Sequence, residues 1–382
     1  MNIRYMNFRL ILYTAVLSVI GILVVNSATA NETTTSLVST TVKQIIGVAG
    51  GLIVMGVLAF IDYHKLVKFS WIFYILAIGS LLYLLLFTTG FSGAKRWIHV
   101  PALGTIQPSE FAKPAMMIFL AFVIYKLDVK LNKVWGLLLY FVFAAPILIL
   151  VLREPDLSTS IVIAVMIFTI LFLGGVDYRW ILGLLAVLVP VVVVFLIAVY
   201  QPEQTILHSL FKDHQVERIN GFFFPENYPN IVYQQNNSVM AIGSGGLFGK
   251  GLNNSSLESV KNGSFLSEEQ CDFIFAIVGE ELGFFGCIGV LILLALTSFE
   301  CFRIASACTD TVGKVIAGTV GTTIAVQSFI NIGVATLVLP NTGIPLPFVS
   351  AGLSSLLGTF IMVGLVLSVG MFGRLKRRIF FG

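Results

Sequence analysis

The chain has 382 residues, of which 57% are apolar and 11% are Asp, Glu, Lys or Arg, with a formal net charge of +4. A soluble domain carries roughly 25% charged residues, so this composition cannot solvate a globular surface. The small basic excess is dispersed along the chain, which excludes a nucleic-acid patch.

A bilayer core is crossed by about 20 apolar residues at 1.5 Å rise each. Runs of that length predict about ten transmembrane helices, near 8–28, 42–61, 69–87, 109–125, 135–152, 157–175, 180–200, 273–300, 313–336 and 351–371. The chain therefore reads as an all-α polytopic membrane protein, a single membrane domain over 1–382. The first run sits between Arg4 and Arg9 and the small residues Ala28-Thr29-Ala30, the outline of a cleaved signal peptide. Its apolar stretch, Leu10 to Val25, exceeds a usual signal core, so a retained helix is expected.

With a cytoplasmic N-terminus, inner segments carry 14 of the 23 Lys and Arg residues, among them Lys65, Lys68, Lys126, Lys130, Lys133, Arg179, Arg303 and Lys314. The positive-inside rule favours that orientation and places both termini in the cytoplasm. The loop over 201–272, between helices 7 and 8, is then a large extracytoplasmic segment. Phe222, Phe223, Phe224, Tyr228, Ile231, Tyr233, Leu247 and Phe248 could dock it on the membrane or on the helix bundle, which predicts short interfacial helices. A second outer loop, 88–108, carries Lys95, Arg96 and Trp97, and a third, near 337–350, is rich in proline. Only Cys271 of the four cysteines falls outside, so no extracellular disulfide is expected. His64, His99, His208 and His214 are scattered without a zinc-site pattern.

Charged side chains in a spanning helix are costly and face a cavity or pair with one another. In Gln107-Pro108-Ser109-Glu110-Phe111-Ala112-Lys113-Pro114, Glu110 and Lys113 stand one turn apart and can form an ion pair, with Ser109 able to cap the helix. That pair reads either as a structural bridge closing a helix end or as part of a site. In the eighth span, Ala276, Gly279, Gly283 and Gly286 share the face of Asp272 on a continuous helix, and Glu280 and Glu281 lie deeper. A stripe of small residues points into a bundle, which puts Asp272 at an inward-facing rim. The alternative is a plain helix N-cap. The glycine-rich run from Ala241 to Gly251 is not a Walker A loop, because Ser244 and Gly251 occupy positions that need Gly and Ser or Thr. Its backbone N–H groups and Lys250 could still cradle an anion, or the run is a hinge.

These segments, together with Gly343 to Leu356, resemble the SEDS family, the RodA, FtsW and SpoVE proteins of bacterial wall synthesis. Ile344-Pro345-Leu346-Pro347 is closer to RodA. The resemblance implies a peptidoglycan glycosyltransferase that polymerises lipid II, the undecaprenyl-pyrophosphate-linked disaccharide peptide, at the outer face of the bacterial cytoplasmic membrane. It implies a class B penicillin-binding transpeptidase as partner, a divalent cation (Mg2+ or Mn2+) and no organic cofactor. It assigns the essential aspartate to Asp272 and the family's Glu–Lys pair to Glu110 and Lys113. The chain departs from the family pattern at Ser267, Cys271, Asn237, Ala351 and Leu353.

Joining two lipid-linked sugars requires a base for the acceptor hydroxyl and positive charge for the departing diphosphate. Asp272 is the expected base. Lys113 ranks first for the diphosphate, ahead of Arg96, Lys250 or a bound metal ion, and Glu110, Gln234, Arg153 and Arg218 complete the substrate-binding candidates. A lipid-linked precursor transporter and a non-catalytic scaffold for a transpeptidase are the alternative readings.

Overall fold

A computed structural model describes residues 5–30, 39–88, 96–100, 104–154, 156–201, 204–210, 213–253 and 270–373. Lys95, Lys212, Lys261 and Ser267 lie outside the described residues, as do Arg4 and the basic residues from Arg374 onward. All ten predicted spans are helices: α1 (Phe8–Ala28), α2 (Thr40–Phe60), α4 (Ser70–Phe87), α5 (Pro108–Leu127), α6 (Val134–Arg153), α7 (Leu157–Leu173), α8 (Tyr178–Tyr200), α12 (Ile274–Ala307), α13 (Thr311–Ala335) and α14 (Leu353–Phe372). Eight of these are long and apolar enough to cross a membrane. The other two are α7, which has 17 residues, and α5, which carries Glu110, Lys113 and Lys126.

Helices α13 and α14 form the centre of the bundle, whereas α8 presents almost its whole surface outward. Glycines on the inner helices explain the close approach. A Cβ at Gly51 of α2 would overlap the Phe360 ring of α14, and one at Gly364 would press on Met55 and Leu58. In a bilayer, where tails are as apolar as side chains, such close packing is what holds helices together. Asn7 donates to Glu300 at 2.6 Å, and Thr309 donates to the Gly373 carbonyl, so both described chain ends lie at one face of the bundle.

The connections at the opposite face carry the remaining structure. A short hairpin, β1 (Ile98–Val100) against β2 (Gly104–Ile106), leads into α5. Between α8 and α12 lie three helices, α9 (Thr205–Leu210), α10 (Asp213–Phe223) and α11 (Pro229–Ser244). The first two fold against the end of α8 through Ala198, Val199, Leu207, Val216 and Ile219. Of the two docking surfaces expected for this segment, α11 takes the bundle, to which it is clamped. Gln235 donates to the carbonyls of Val334 and Leu339, both at 2.9 Å, and Ser238 donates to Ala335 at 2.7 Å.

Helix α12 is not continuous, contrary to the reading of its small-residue stripe. Gly283 has φ 67° and ψ −163°, which breaks it. From Phe284 to Ala307 the chain covers about 36 Å at 1.5 Å per residue, enough to span by itself. The segment before the break is buried on every side, Phe273 to Glu281 included. The glycine-rich run fills the break. Lys250 and Gly251 donate their N–H groups to the carbonyls of Glu280 and Glu281, and Phe284 and Phe285 donate to Gly246 and Leu247. Those groups lose their helical partners at the break, and the loop replaces them. Only glycine serves at Gly249 and Gly283, where φ is positive and an added Cβ would lie 2.2 Å from the Glu281 oxygen or 2.3 Å from the Gly249 nitrogen. The run is therefore neither a hinge nor an open cradle for anions.

Candidate active site

The site is built where the loop before β1, the α6–α7 turn, α10, the start of α12 and the 337–352 segment converge. Main-chain clamps fix the start of α12. Asn331 donates to the carbonyls of Asp272 (2.9 Å) and Ile344 (2.7 Å), Ser350 Oγ donates to the Cys271 carbonyl at 2.6 Å, and the Ala351 N–H donates to Gln270 at 2.8 Å. Cys271 and Ala351 thus act through backbone atoms, so their departures from the family pattern leave the clamp intact. Leu353, the first residue of α14, is an apolar packing residue whose Cδ1 would meet a Cβ on Gly47.

Asp272 stands one residue before the N-cap of α12. The N-cap is Phe273, which has no side-chain cap bond, so the N-cap reading of Asp272 does not hold. Its carboxylate lies against Gly343, where an added Cβ would be 3.0 Å from Oδ2. Arg218 of α10 is in electrostatic reach of Asp272, Asp156 and Arg96. Part of Arg218 stays exposed, but the protein packed around it desolvates it and the Arg96 charge adds to this, so its pKa falls below the usual guanidinium range, with Asp272 and Asp156 opposing. Arg96 and Arg218 line a small cavity of about 40 Å³ together with Ser158, Gln215, Asn341 and Thr342. Ser158 donates to the Thr342 carbonyl, tying the start of α7 to the loop that holds Gly343.

Asp156 caps α7 by accepting from the Thr159 N–H at 3.0 Å, and Gln107 Nε2 donates to its other oxygen at 3.0 Å. Gln107 is also the N-cap residue of α5, where Ser109 was the expected cap. The Ser109 hydroxyl is instead buried and makes no hydrogen bond among the described residues.

The remaining sequence candidates separate from Asp272 in different ways. Lys113 is 1% exposed, and its Nζ holds both oxygens of Glu110, at 2.9 and 2.8 Å. That pair sits against α14, where a Cβ on Gly358 would be 3.0 Å from the Glu110 carbonyl. Lys250 Nζ binds Glu280 Oε1 at 2.8 Å, within the α12 break, and Ser27 of α1 donates to Glu281. Arg153 is exposed on the last turn of α6, and Gln234 is half-buried on α11. Asp156 and Glu154 escaped the sequence reading. The signal was the charged run Arg153-Glu154-Pro155-Asp156 between two apolar spans.

Among the described residues, no group of three or more His, Cys, Asp or Glu side chains is placed to hold a metal ion. Positive charge beside Asp272 comes from Arg218, which shares a cavity with Arg96.

A discontinuous helix bundle with two aspartates and two arginines at a polar mouth defines a polytopic membrane protein with a polar site at one face. The comparisons make the class specific. The family model of the FtsW/RodA/SpoVE cell cycle proteins matches residues 6–375, and the chain belongs to that family. It is 34% identical over 314 residues to the probable peptidoglycan glycosyltransferase FtsW of Nitrosomonas europaea, covering 80% of this chain and 76% of that one. It is 35% identical over 332 residues to the peptidoglycan glycosyltransferase MrdB of Escherichia coli K12, covering 86% and 84%. The fold is that of RodA of Thermus thermophilus, with TM-score 0.68 at 23% identity over 97% of this chain and 98% of the other. A chain from a peptidoglycan synthase complex that coordinates polymerisation and crosslinking superposes with TM-score 0.76 at 24% identity, covering 96% and 98%.

Proposed function

We propose that this chain is a peptidoglycan glycosyltransferase that polymerises lipid II at the outer face of the bacterial cytoplasmic membrane, with Asp272 as general base. The observation that carries this reading is the shared neighbourhood of Asp272 and Arg218 beside the Arg96 cavity. Asp272 takes the proton from the acceptor's 4-hydroxyl as that oxygen bonds to the anomeric carbon of the donor. The bond from that carbon to the phosphate oxygen breaks, and lipid diphosphate leaves as an anion. Arg96 and Arg218 receive the charge, because guanidiniums match phosphate oxygens in planar, bidentate fashion. Lys113, closed on Glu110, ranks below them.

The polar mouth is on the outer side and both termini are cytoplasmic, in keeping with the excess of Lys and Arg on inner segments. A class B penicillin-binding transpeptidase is the partner that would crosslink the new strands, a pairing supported by the likeness to a chain of a peptidoglycan synthase complex that coordinates polymerisation and crosslinking. A Mg2+ or Mn2+ ion used in the reaction would sit between the substrate's diphosphate and one or two carboxylates of the chain, the common arrangement for magnesium.

The test supplies lipid II to the purified protein with its transpeptidase and follows glycan polymer for wild type and Asp272→Ala. Polymer from wild type alone is expected. Unchanged polymerisation by the variant removes Asp272 as base, and lipid movement without polymer replaces the reading with transport.

A further inference from the structure

Glu154 terminates α6 two residues before Asp156, and Leu157 and Ser158, which follow, line the Arg96 cavity. Its side chain is 0% exposed, and neither carboxylate oxygen has a hydrogen-bond partner among the described residues. An ionised carboxylate in that condition is unfavourable, so such a group either gains a partner or keeps its proton. The charged groups acting on it are Asp156, from the start of α7, and Arg96, from the loop before β1. Arg218 of α10 completes the set through its coupling to Arg96 and Asp156, and it is in turn coupled to Asp272 beside α12.

Resting on the proposed glycosyltransferase reading, we infer that Glu154 is a positioning residue for substrate. Protonated, it leaves the Arg96 charge directed at the lipid diphosphate, and ionised, it draws that charge toward itself. Burial, and secondarily Asp156, push its pKa up to about 8 against the opposing pull of Arg96. Glu154 is thus mainly protonated at neutral pH. The sign of the coupling follows: a diphosphate placed beside Arg96 makes the site more negative and raises the proton affinity of Glu154 further. Binding therefore takes up a proton above pH 8, and affinity falls as pH rises through that value. Glutamine at this position has the shape of the protonated acid and cannot ionise.

The experiment measures binding of undecaprenyl diphosphate in detergent micelles to wild type and Glu154→Gln from pH 6.5 to 9.5. Ionisation of the ligand and of the other site residues is common to both proteins and cancels in the ratio of their dissociation constants. Near unity at pH 7, the ratio of wild type to variant is expected to rise about fivefold by pH 9, the linkage expected when binding raises a pKa by roughly one unit. A ratio that stays flat, with binding intact, overturns the inference and leaves the proposed function standing. Absence of binding by wild type at every pH removes the diphosphate site and this inference with it. A second measurement needs no variant: the infrared band of a protonated carboxyl in wild type should titrate near pH 8 and shift to higher pH when the ligand is added. A band that ignores the ligand also overturns the role.

Discussion

The carboxylate of Asp272 is seated on the α-carbon of Gly343, so closely that a methyl group there would come within 3.0 Å of Oδ2. Gly343 also has φ 71°, a conformation that costs an L-residue about 1–2 kcal/mol. Gly343→Ala should therefore lower the thermal midpoint modestly and displace the carboxylate. A displacement of this kind changes the chemical step more than binding. We expect kcat for glycan synthesis to fall at least tenfold, with little change in KM. A variant with wild-type kcat would show that the Asp272 position is not critical.

The two arginines should behave differently from Asp272. Arg218→Ala or Arg96→Ala removes a charged partner of the diphosphate, an interaction worth about 1.5–3 kcal/mol. We expect KM for lipid II to rise at least tenfold in each, with polymer still formed at saturating substrate. The salt dependence of KM should weaken in parallel, since one charge of the pair has gone. Steady-state kinetics at two ionic strengths would check both points.

The buried Glu110–Lys113 pair makes a stability prediction that separates its two readings. Removing one partner leaves an uncompensated buried charge and costs about 3–5 kcal/mol, whereas apolar replacement of both is close to neutral. Lys113→Met should thus be strongly destabilised in a thermal assay, and the double variant Glu110→Leu with Lys113→Met should recover most of the loss. Polymerisation by the recovered double variant would show the pair to be structural. A stable but inactive double variant would show that it acts on substrate.

At the α12 break, Lys250→Ala leaves the buried Glu280 without its 2.8 Å partner. We expect a loss of about 3 kcal/mol in stability and an unchanged KM, because the lysine is committed to Glu280. Gly283→Ala should be worse, since its Cβ would collide with the Gly249 backbone. Yields of folded, detergent-extracted protein would rank the two. A raised KM in Lys250→Ala would return this lysine to the substrate site.

Much of the fold was legible in the sequence because a bilayer imposes a one-dimensional rule. Each span must be about 20 apolar residues long with every backbone group bonded within it, so the positions of the ten helices follow from hydropathy alone. The family motifs likewise singled out Asp272, Glu110 and Lys113. Hydropathy averages over a window, however, and cannot register one residue at positive φ. For that reason Gly283 passed as part of a stripe of small residues, and the glycine-rich run that repairs the break passed as a separate loop.

What the chain determined by itself was its class, its span positions and which ionisable residues lie near the polar ends of helices. Which of them meet was decided by the tertiary structure. Asp272, Arg218, Arg96 and Asp156 come from four stretches far apart in sequence, and only helix packing with the clamps from Asn331 and Ser350 brings them to one mouth. The Glu110–Lys113 pair could be read from its spacing on one helix, whereas Lys250 looks available in the sequence and only packing gives it the buried Glu280. Electrostatic pairing falls off within a few ångströms, and no pattern along the chain encodes distances of that size between helices.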